Sequence, residues 1–230
     1  MEFDKFSQSY NNDLMKGLSL SGESASYFAQ KRVHYLRDYL AAAGKSVNSI
    51  LEFGCGIGNN IEFLAQYFPD SRIIGLDISQ ESLNIAQERF KNYARITFES
   101  AAADSLNGEK VDLVFVNGVF HHITPKDRLQ NLHRLHKFLR KGAALCIFEN
   151  NPFNPGTRWV MKRIPFDRDA VLVNPYTFTK QIQSLGYHNI LIQFYFIFPK
   201  FLAFLRSLEQ YLRNVPFGAQ YCLIGFKEND

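Results

Sequence analysis

Short apolar runs alternate along this chain with longer stretches in which apolar residues recur every three or four positions. Runs such as VDLVFV at 111–116 are apolar almost throughout, which is typical of strands buried on both faces of a parallel sheet. On this basis we predict seven strands, at 49–53, 72–76, 96–99, 111–117, 143–149, 189–198 and 219–226.

Helical periodicity fills most of the segments between these strands. It predicts helices near 22–43, 59–67, 80–92, 125–140, 176–185 and 201–213. Strands that alternate with helices of about a dozen residues imply right-handed βαβ units. The pattern therefore predicts the α/β class: a doubly wound, mostly parallel sheet whose last two strands are joined without the usual crossover.

Composition agrees with a globular protein of one domain. Hydrophobic residues make up 46% of the 230 residues and charged residues 21%, which excludes a disordered chain. The formal net charge of +4 permits an anionic substrate but is too small for a dedicated nucleic-acid binder. The Pro- and Asn-rich stretch at 151–156 is no convincing boundary, so we treat 1–230 as a single domain.

The cellular context follows from cysteine usage and from the terminal sequence. The three cysteines stand far apart without a CxxC pair, as expected for a reduced, intracellular protein. The polar start MEFDKFSQSYNNDLMKG does not resemble a signal peptide, and no apolar run approaches the ~18 residues of a membrane span. We therefore expect a cytoplasmic protein.

The stretch ILEFGCGIGNN at 50–60 places glycines at 54, 56 and 58 directly behind a predicted strand, with Glu52 just ahead of them. Glycine loses more backbone freedom on folding than any other residue, so such a cluster indicates a tight turn or a close approach of a ligand. In a doubly wound sheet this loop lies where the strand order reverses, beside a helix N-terminus, which is the usual ligand crevice.

Asp77 ends the second predicted strand, about 20 residues after the glycines. A carboxylate at that place is suited to accept hydrogen bonds from ribose hydroxyls. A dinucleotide would require G-x-G-x-x-G, whereas the chain reads E-x-G-x-G-x-G when Glu52 is counted. The alternative of a glycine turn made for packing alone does not account for the matching strand, helix and acid.

Five stretches together resemble the class I S-adenosylmethionine-dependent methyltransferases. They are LEFGCGIGN, IIGLDIS, FESAAADSL, VDLVFVNGVFHHI and LRKGAALCIFE, in the family's order and spacing, and they cover about residues 45–150. The resemblance implies a Rossmann-like methyltransferase fold with seven strands and an antiparallel last strand, and S-adenosylmethionine as the cofactor. It divides the chain into an N-terminal cap at 1–45, a cofactor-binding core at 46–150 and a substrate side at 151–230.

The resemblance also implies cofactor contacts near the first two strands. Gly54 and Gly56 would lie against the methionine part and the ribose, Asp77 would hold the ribose hydroxyls, and Ile78 would pack on the adenine. For Ile78, a place in the core alone is the alternative.

Further implied contacts come from the third and fourth strands and from the cap. Asp104 would accept from the adenine amino group, Ala103 would supply a backbone N–H to the ring, and Asn117 would face the methionine moiety. Tyr10 lies in FDKFSQSYN, which resembles the family's opening segment that folds over the cofactor. Asp104 could instead be an N-cap for the helix that follows.

His121 and His122 follow the fourth strand on the cofactor side. A histidine is the natural base at neutral pH, so His122 is the candidate catalytic residue, with a positioning or structural role as the alternative. His133 and His136 fall within a helical pattern and are interpreted as surface or satisfied histidines. No His, Cys or carboxylate grouping has metal-ligand spacing, so we expect no metal.

The acceptor is expected to be something other than nucleic acid, because the place after the fourth strand reads NGVF rather than the Asn/Asp-Pro-Pro-aromatic element of adenine methyltransferases. The loop at 149–171 should overhang the active site. Asn151, Arg158 and Trp159 are the candidate substrate residues, and Arg158 with Arg163 could hold a carboxylate or phosphate. A solvated basic loop is the alternative.

The aromatic segment FYFIFPKFLAFLRSLEQYL at 194–212 shares one helical face through Phe201, Phe204, Leu205, Leu208 and Leu212. Packing of that face on the sheet is the expectation. The alternatives are a pocket wall for an apolar or lipid-linked acceptor, a peripheral membrane contact, or a dimer contact.

We therefore interpret the chain as a methyltransferase acting on a small-molecule or lipid-linked acceptor. A nucleotide-cofactor oxidoreductase and a non-catalytic cofactor-binding subunit stay open as alternatives. The sequence leaves the acceptor, the methylated atom and the oligomeric state undetermined.

Overall fold

The computed structural model of the protein describes residues 17–18, 21–101 and 108–228. Seven strands form one sheet in the order β3-β2-β1-β4-β5-β7-β6. Their bounds are β1 Ser49–Phe53, β2 Arg72–Asp77, β3 Ile96–Ser100, β4 Val111–Asn117, β5 Leu139–Asn150, β6 Tyr187–Tyr195 and β7 Gln220–Lys227.

Helices connect these strands and cover the sheet. They are α1 Ala25–Ala42, α2 Ile61–Tyr67, α3 Gln80–Arg89, α4 Arg128–Phe138, α5 Pro155–Met161, α6 Pro175–Gln183 and α7 Glu209–Leu212. Two 3₁₀ segments occur at Pro165–Asp167 and Lys200–Leu208. None of the helices in the described part of the chain is long and apolar enough to span a membrane.

The pairing of the strands confirms the predicted fold class. Strand β1 pairs in parallel with both β2 and β4, so the strand order reverses between them. Strand β7 is antiparallel to its neighbours β5 and β6, as the resemblance implies for the last strand.

The central strands are buried on both faces because helices lie on both sides of the sheet. All five residues of β1 are buried, and alternate side chains of β4 enter opposite layers. Phe115 packs with Val33 and Leu36 of α1 on one side. Val114 packs with Leu132 of α4 on the other side. The near-continuous apolar runs of the sequence are therefore the signature of two core layers.

Two predictions about the second half of the chain are wrong. The loop at 149–171 contains α5, a short helix capped by the Asn154 side chain, which accepts from the Thr157 amide. The segment after β6 is mostly 3₁₀, and Phe201 and Phe204 are 74% and 76% exposed rather than packed on the sheet. Its backbone kinks at Leu202, so side chains with an α-helical spacing do not share a buried face.

Candidate functional site

A cavity of about 580 Å³ opens at the carboxyl ends of the parallel strands. Its floor consists of the loops after β1, β2 and β4, and its walls are the first half of α1, the inner face of α5 and the segment at 196–199. This is the edge at which doubly wound sheets bind ligands. The predicted residues Gly54, Gly56, Asp77, Ile78 and Asn117 all line it.

The glycine loop has the left-handed backbone that its composition predicts, with φ of +74° at Gly54, +51° at Gly56 and +83° at Gly58. A Cβ on Gly54 would lie 2.3 Å from Val119, and one on Gly58 would lie 2.7 Å from Phe90. A Cβ on Gly56 would meet nothing within 4 Å. Gly54 and Gly58 are therefore required for packing, while Gly56 leaves its space to the cavity.

Asp77 joins the glycine loop to the loop after β2. Its carboxylate accepts hydrogen bonds from the backbone N–H of Gly56 at 2.7 Å and of Ser79 at 2.9 Å. The adjacent Ile78 is 45% exposed although it is apolar, and it lies on the cavity wall. A half-exposed isoleucine beside a fixed carboxylate is a suitable surface for a flat ring attached to a sugar.

A buried polar network lies under the glycine loop. The Asn60 amide donates to Glu52 Oε1 at 2.7 Å, and Arg32 of α1 donates to Asn60 Oδ1 at 3.3 Å and to Gln220 at 3.0 Å. Burial raises the pKa of Glu52 to about 8, although the Asn60 hydrogen bond and the Arg32 charge oppose this rise.

Arg32 borders the cavity and was missed by the sequence reasoning. The available signal was an arginine on the apolar face of α1, between Ala29 and Val33, both of which are buried. An arginine is placed on a buried face only when it has partners there.

Asn117 ends β4 at the cavity wall. Its Oδ1 is buried and meets no hydrogen-bond donor among the described residues. A buried amide oxygen without a partner costs free energy, so this atom is suited to accept from a donor group of a ligand in the cavity.

His121 lies in the floor of the cavity between two carboxylates and is 3% exposed. Its Nδ1 is 2.6 Å from Glu149 Oε2 and its Nε2 is 3.3 Å from Asp167 Oδ1. Burial alone lowers the pKa of His121, but the two carboxylates outweigh it and raise the pKa to about 10. In this structure His121 is therefore a buried cation, which is unsuited to accept a proton near neutral pH.

His122 lines the cavity and is 18% exposed. Its Nε2 lies 3.2 Å from Asp167 Oδ1, the oxygen that His121 also faces. Burial raises the pKa of Asp167, but hydrogen bonds from the two histidines outweigh it and lower the pKa below its ordinary value. Asp167 is therefore an anion that orients the His122 ring.

Hydrogen bonds from the surrounding loops fix this cluster. Glu149 Oε1 accepts from the backbone N–H groups of Val119 and Phe120 at 3.0 and 2.7 Å. The backbone N–H of Val171 donates to the carbonyl of His121 at 2.8 Å. The segment that carries Asp167 is thus tied to the loop after β4.

The tertiary structure brings together three side chains that could bind a metal ion, and the expectation of no metal stays a prediction. The ligand atoms of His121, His122 and Asp167 all lie within 4.8 Å of one another. Spacing along the chain did not indicate this group because Asp167 is 46 positions from His121.

The three predicted substrate residues are not brought to the cavity. Asn151 is fully buried and joins its own loop to the loop before β7. Its amide donates to the carbonyls of Pro216 and Gly218 and accepts from the N–H of Phe153. Arg158 and Trp159 lie on the exposed outer face of α5. The opposite face of this helix lines the cavity, so the assignment of these three residues to the acceptor stays a prediction that their positions do not favour.

The lining of the cavity is mainly apolar. Its side chains include Phe28, Val160, Met161, Ile164, Phe166, Phe196 and Phe198. Arg206 also lines the cavity, where it pairs with Glu23 at 2.9 Å. The predicted cofactor residues Tyr10, Ala103 and Asp104 lie outside the described residues.

The comparisons with known proteins agree with this site. Residues 50–142 match the family described as "Methyltransferase domain". A trans-aconitate 2-methyltransferase of Afipia carboxidovorans is 32% identical over 128 residues, which are 55% of this chain and 48% of that protein. One of Rhodopseudomonas palustris is 28% identical over 148 residues, 64% of this chain and 56% of that protein. The chain thus spans about half the length of the curated relatives it matches.

Solved structures share the fold at low sequence identity. The plantazolicin methyltransferase BpumL, solved in complex with a pentazolic desmethylPZN analog and SAH, matches with a TM-score of 0.66 at 17% identity. The match covers 98% of this chain and 90% of that protein's chain. A SAM-dependent methyltransferase from Archaeoglobus fulgidus matches with a TM-score of 0.63 at 18% identity. The match covers 85% of this chain and 94% of that protein's chain.

Proposed function

We propose that this chain, which contains a class I S-adenosylmethionine-dependent methyltransferase domain, transfers a methyl group from S-adenosylmethionine to a small-molecule acceptor. The observation that carries the proposal is the glycine loop joined to Asp77 at the strand-order reversal, within the segment that matches the methyltransferase family. That match disfavours the alternative of a nucleotide-cofactor oxidoreductase.

The residues present fit S-adenosylmethionine near the loops after β1 and β2. Asp77 would accept from the ribose hydroxyls, Ile78 would cover one face of the adenine, and the open side of Gly56 admits the sugar and its sulfur substituent. When bound, the cofactor supplies a methyl group already activated by its sulfonium.

The methionine end of the cofactor fits the other half of the floor. The buried Oδ1 of Asn117 would accept from the ammonium group. Arg32, which lines the cavity beside the network under the glycine loop, would contact the carboxylate. These two contacts would fix the direction in which the methyl group points, and orientation of this kind supplies about 7–11 kcal/mol of barrier reduction in favourable cases.

His122 is the proposed general base. It is on the cavity wall, and Asp167 holds its Nε2 at 3.2 Å. A carboxylate so placed orients an imidazole and stabilises the imidazolium that forms when it takes a proton. His121 has a different role in this proposal, because its two carboxylate partners keep it charged and it holds Asp167 in place.

The acceptor is proposed to combine one anionic group with an apolar body. The curated relatives are named for trans-aconitate, a tricarboxylate, whereas the lining of this cavity is mainly apolar. Within the described residues, Arg32 and Arg206 are the arginines on the cavity wall, and both already have polar partners. Since Arg32 would contact the carboxylate of the cofactor, Arg206 is the arginine left for the acceptor. It could contact one acidic group, whereas three acidic groups would need more cations.

A lipid-linked acceptor is a second candidate because of the segment after β6. Phe198 and Pro199 line the cavity, and Phe201 and Phe204, two and five residues further on, are exposed. Exposed aromatic side chains next to a cavity mouth suit a membrane surface or a bulky apolar substrate.

Calorimetric titration tests the cofactor first. We expect S-adenosylmethionine and S-adenosylhomocysteine to bind with micromolar affinity and NADH to give no heat; binding of NADH alone would reverse the cofactor assignment. A release assay for S-adenosylhomocysteine then compares polar and lipid extracts as sources of acceptor. Release from the polar extract supports the small anionic acceptor, and release from the lipid extract alone supports the lipid-linked one.

A His122→Gln variant tests the proposed general base in the same assay. It should bind the cofactor as the parent does but release S-adenosylhomocysteine at least about 10²-fold more slowly. A fall of less than about threefold would show that His122 is only structural.

A further inference from the structure

Three side chains of the cavity floor present nitrogen and oxygen atoms to one common point. His121 Nε2 and His122 Nε2 lie 3.3 and 3.2 Å from the same oxygen, Oδ1 of Asp167. Ligand atoms at about 2.0–2.2 Å from a tetrahedral Zn²⁺ are about 3.3–3.6 Å from one another. We propose that His121, His122 and Asp167 form a binding site for one divalent transition-metal ion of the zinc type.

The surroundings of His121 are those of a metal ligand. A histidine that binds a metal through one nitrogen almost always donates its other N–H to a carboxylate or carbonyl, which fixes the ring and its tautomer. Here His121 Nδ1 is 2.6 Å from Glu149 Oε2. Glu149 is itself held by the backbone N–H groups of residues 119 and 120. His121 Nε2 is therefore directed at the common point by a rigid support.

The donor set selects the kind of ion. Two imidazole nitrogens and one carboxylate oxygen suit Zn²⁺, Co²⁺, Ni²⁺ or Fe²⁺, whereas Mg²⁺ and Ca²⁺ prefer oxygen ligands throughout. Together with Glu149, the site holds two carboxylates, which balance a charge of two. No other group of three such residues is close enough to bind a metal in the part of the chain that the structure describes.

The site is accessible from the cavity, whose wall includes all three side chains. Three protein ligands leave one position of a tetrahedral ion for water or for a ligand in the cavity. The metal would occupy the place in which protons now join the two histidines to Asp167. A bound ion would also prevent His122 from acting as the proposed general base with Asp167 as its partner. The metal-bound form should therefore methylate more slowly.

The test is a titration of the untagged, chelator-treated protein with Co²⁺, in which the visible absorption of the bound Co²⁺ is measured after each addition. We expect saturation at one equivalent and loss of the absorption when Zn²⁺ is added. Asp167→Asn and His122→Gln should weaken Co²⁺ binding at least about tenfold. Glu149→Gln should weaken it by about 10–100-fold, the usual effect of losing the partner of a ligating histidine.

Two matched variants control for binding at surface groups. Asp169→Asn and His133→Gln remove the same functional groups at exposed positions and should leave Co²⁺ binding unchanged. Thermal melting of each variant shows whether it is folded. If a buried substitution prevents folding, His122→Gln still decides, because its ring lies at the cavity surface.

The proposal is overturned if Co²⁺ binding does not saturate, or if the control variants lose as much affinity as the site variants. Co²⁺ absorption is read without cofactor or acceptor. A protein that binds the metal but methylates nothing would therefore refute the proposed function and leave the metal site intact. A protein that methylates an acceptor but binds no Co²⁺ would refute the metal site and leave the proposed function intact.

Discussion

At the residue scale, the two carboxylates beside the glycine loop have different environments. Glu52 is fully buried, and one of its oxygens has no hydrogen-bond partner among the described residues. Asp77 accepts from two backbone N–H groups at the cavity wall. Burial without full pairing favours a neutral acid, whereas backbone donors favour an anion. The same side-chain chemistry therefore gives a buried support at one position and a candidate ligand contact at the other.

Asp77→Ala should weaken binding of S-adenosylhomocysteine by about 2–3 kcal/mol, because a hydrogen bond to a charged group contributes ~1.5–3 kcal/mol. Calorimetry of the variant measures the loss, and Asp70→Ala, at an exposed position, is the control. Since Asp77 also holds Gly56, the melting temperature should be compared as well. Unchanged affinity in a folded variant would refute the ribose contact.

Glu52 should make stability depend on pH. Its folded pKa of about 8 lies above the ordinary value of 4.5, so the folded state binds more protons between these values. The free energy of unfolding therefore falls as pH rises through this window, by on the order of 3–5 kcal/mol at most.

Glu52→Gln removes this dependence and keeps an oxygen that can accept from Asn60. Urea unfolding of the cofactor-free proteins at about pH 5 and about pH 8.5 should show that the parent loses stability relative to the variant as pH rises. Parallel changes in both proteins would mean that Glu52 titrates normally.

At the element scale, the two faces of α5 differ in their surroundings. Thr157, Val160 and Met161 face the cavity or the core, whereas Arg158 and Trp159 face outward. Arg163 stacks over the Trp159 ring with its guanidinium carbon 3.3 Å from the ring centroid. The charge of Arg163, two residues after the end of α5, is therefore paired with an aromatic ring on the surface.

Arg158→Ala should accordingly change the acceptor KM by less than about twofold, because an exposed charge outside the cavity contributes little. Phe166→Ala, which removes an apolar side chain from the cavity wall, should raise KM by at least about tenfold for an acceptor with an apolar body. Steady-state kinetics with the acceptor found in the extract assay compares the two. A larger effect of Arg158→Ala would restore the outer face as the acceptor site.

Asn151, between β5 and α5, is a structural residue. Its amide donates to two carbonyls of the loop before β7 and accepts from the N–H of Phe153, so Asn151→Ala leaves buried polar groups unpaired. We expect a loss of about 2–4 kcal/mol in the free energy of unfolding. Asn92→Ala, at an exposed position, should have almost no effect in the same denaturation experiment.

At the scale of the whole molecule, the cavity couples ligand binding to folding. Its walls come from the loops after β1, β2 and β4, from α1 and α5, and from the segment at 196–199. A ligand that fills it contacts both halves of the chain at once, and a ligand that binds only the folded state stabilises it by mass action.

S-adenosylhomocysteine at about 100 times its dissociation constant should therefore stabilise the protein by about 2.7 kcal/mol. For a chain of this length that corresponds to a rise of about 5–10 °C in the melting temperature. Differential scanning calorimetry measures the shift, and NADH at the same concentration should give none. An equal shift with NADH would contradict the cofactor assignment.

The sequence by itself determined the sheet and the glycine-loop side of the cavity. Strands β1 and β4 have the predicted bounds, because a strand buried on both faces is mainly apolar. The glycines and Asp77 were also readable, since a tight loop and the strand beside it are formed by neighbouring residues. Such features depend on local backbone geometry, which the chain encodes over a few positions.

Only the tertiary structure decided which distant side chains meet. Asp167 reaches His121 and His122 across a loop without periodicity, and α5 turns Arg158 outward while its other face lines the cavity. Spacing along the chain cannot predict such contacts, because the packing of loops on the sheet determines them. The residues proposed to move a proton or hold a metal became a group only when the chain folded.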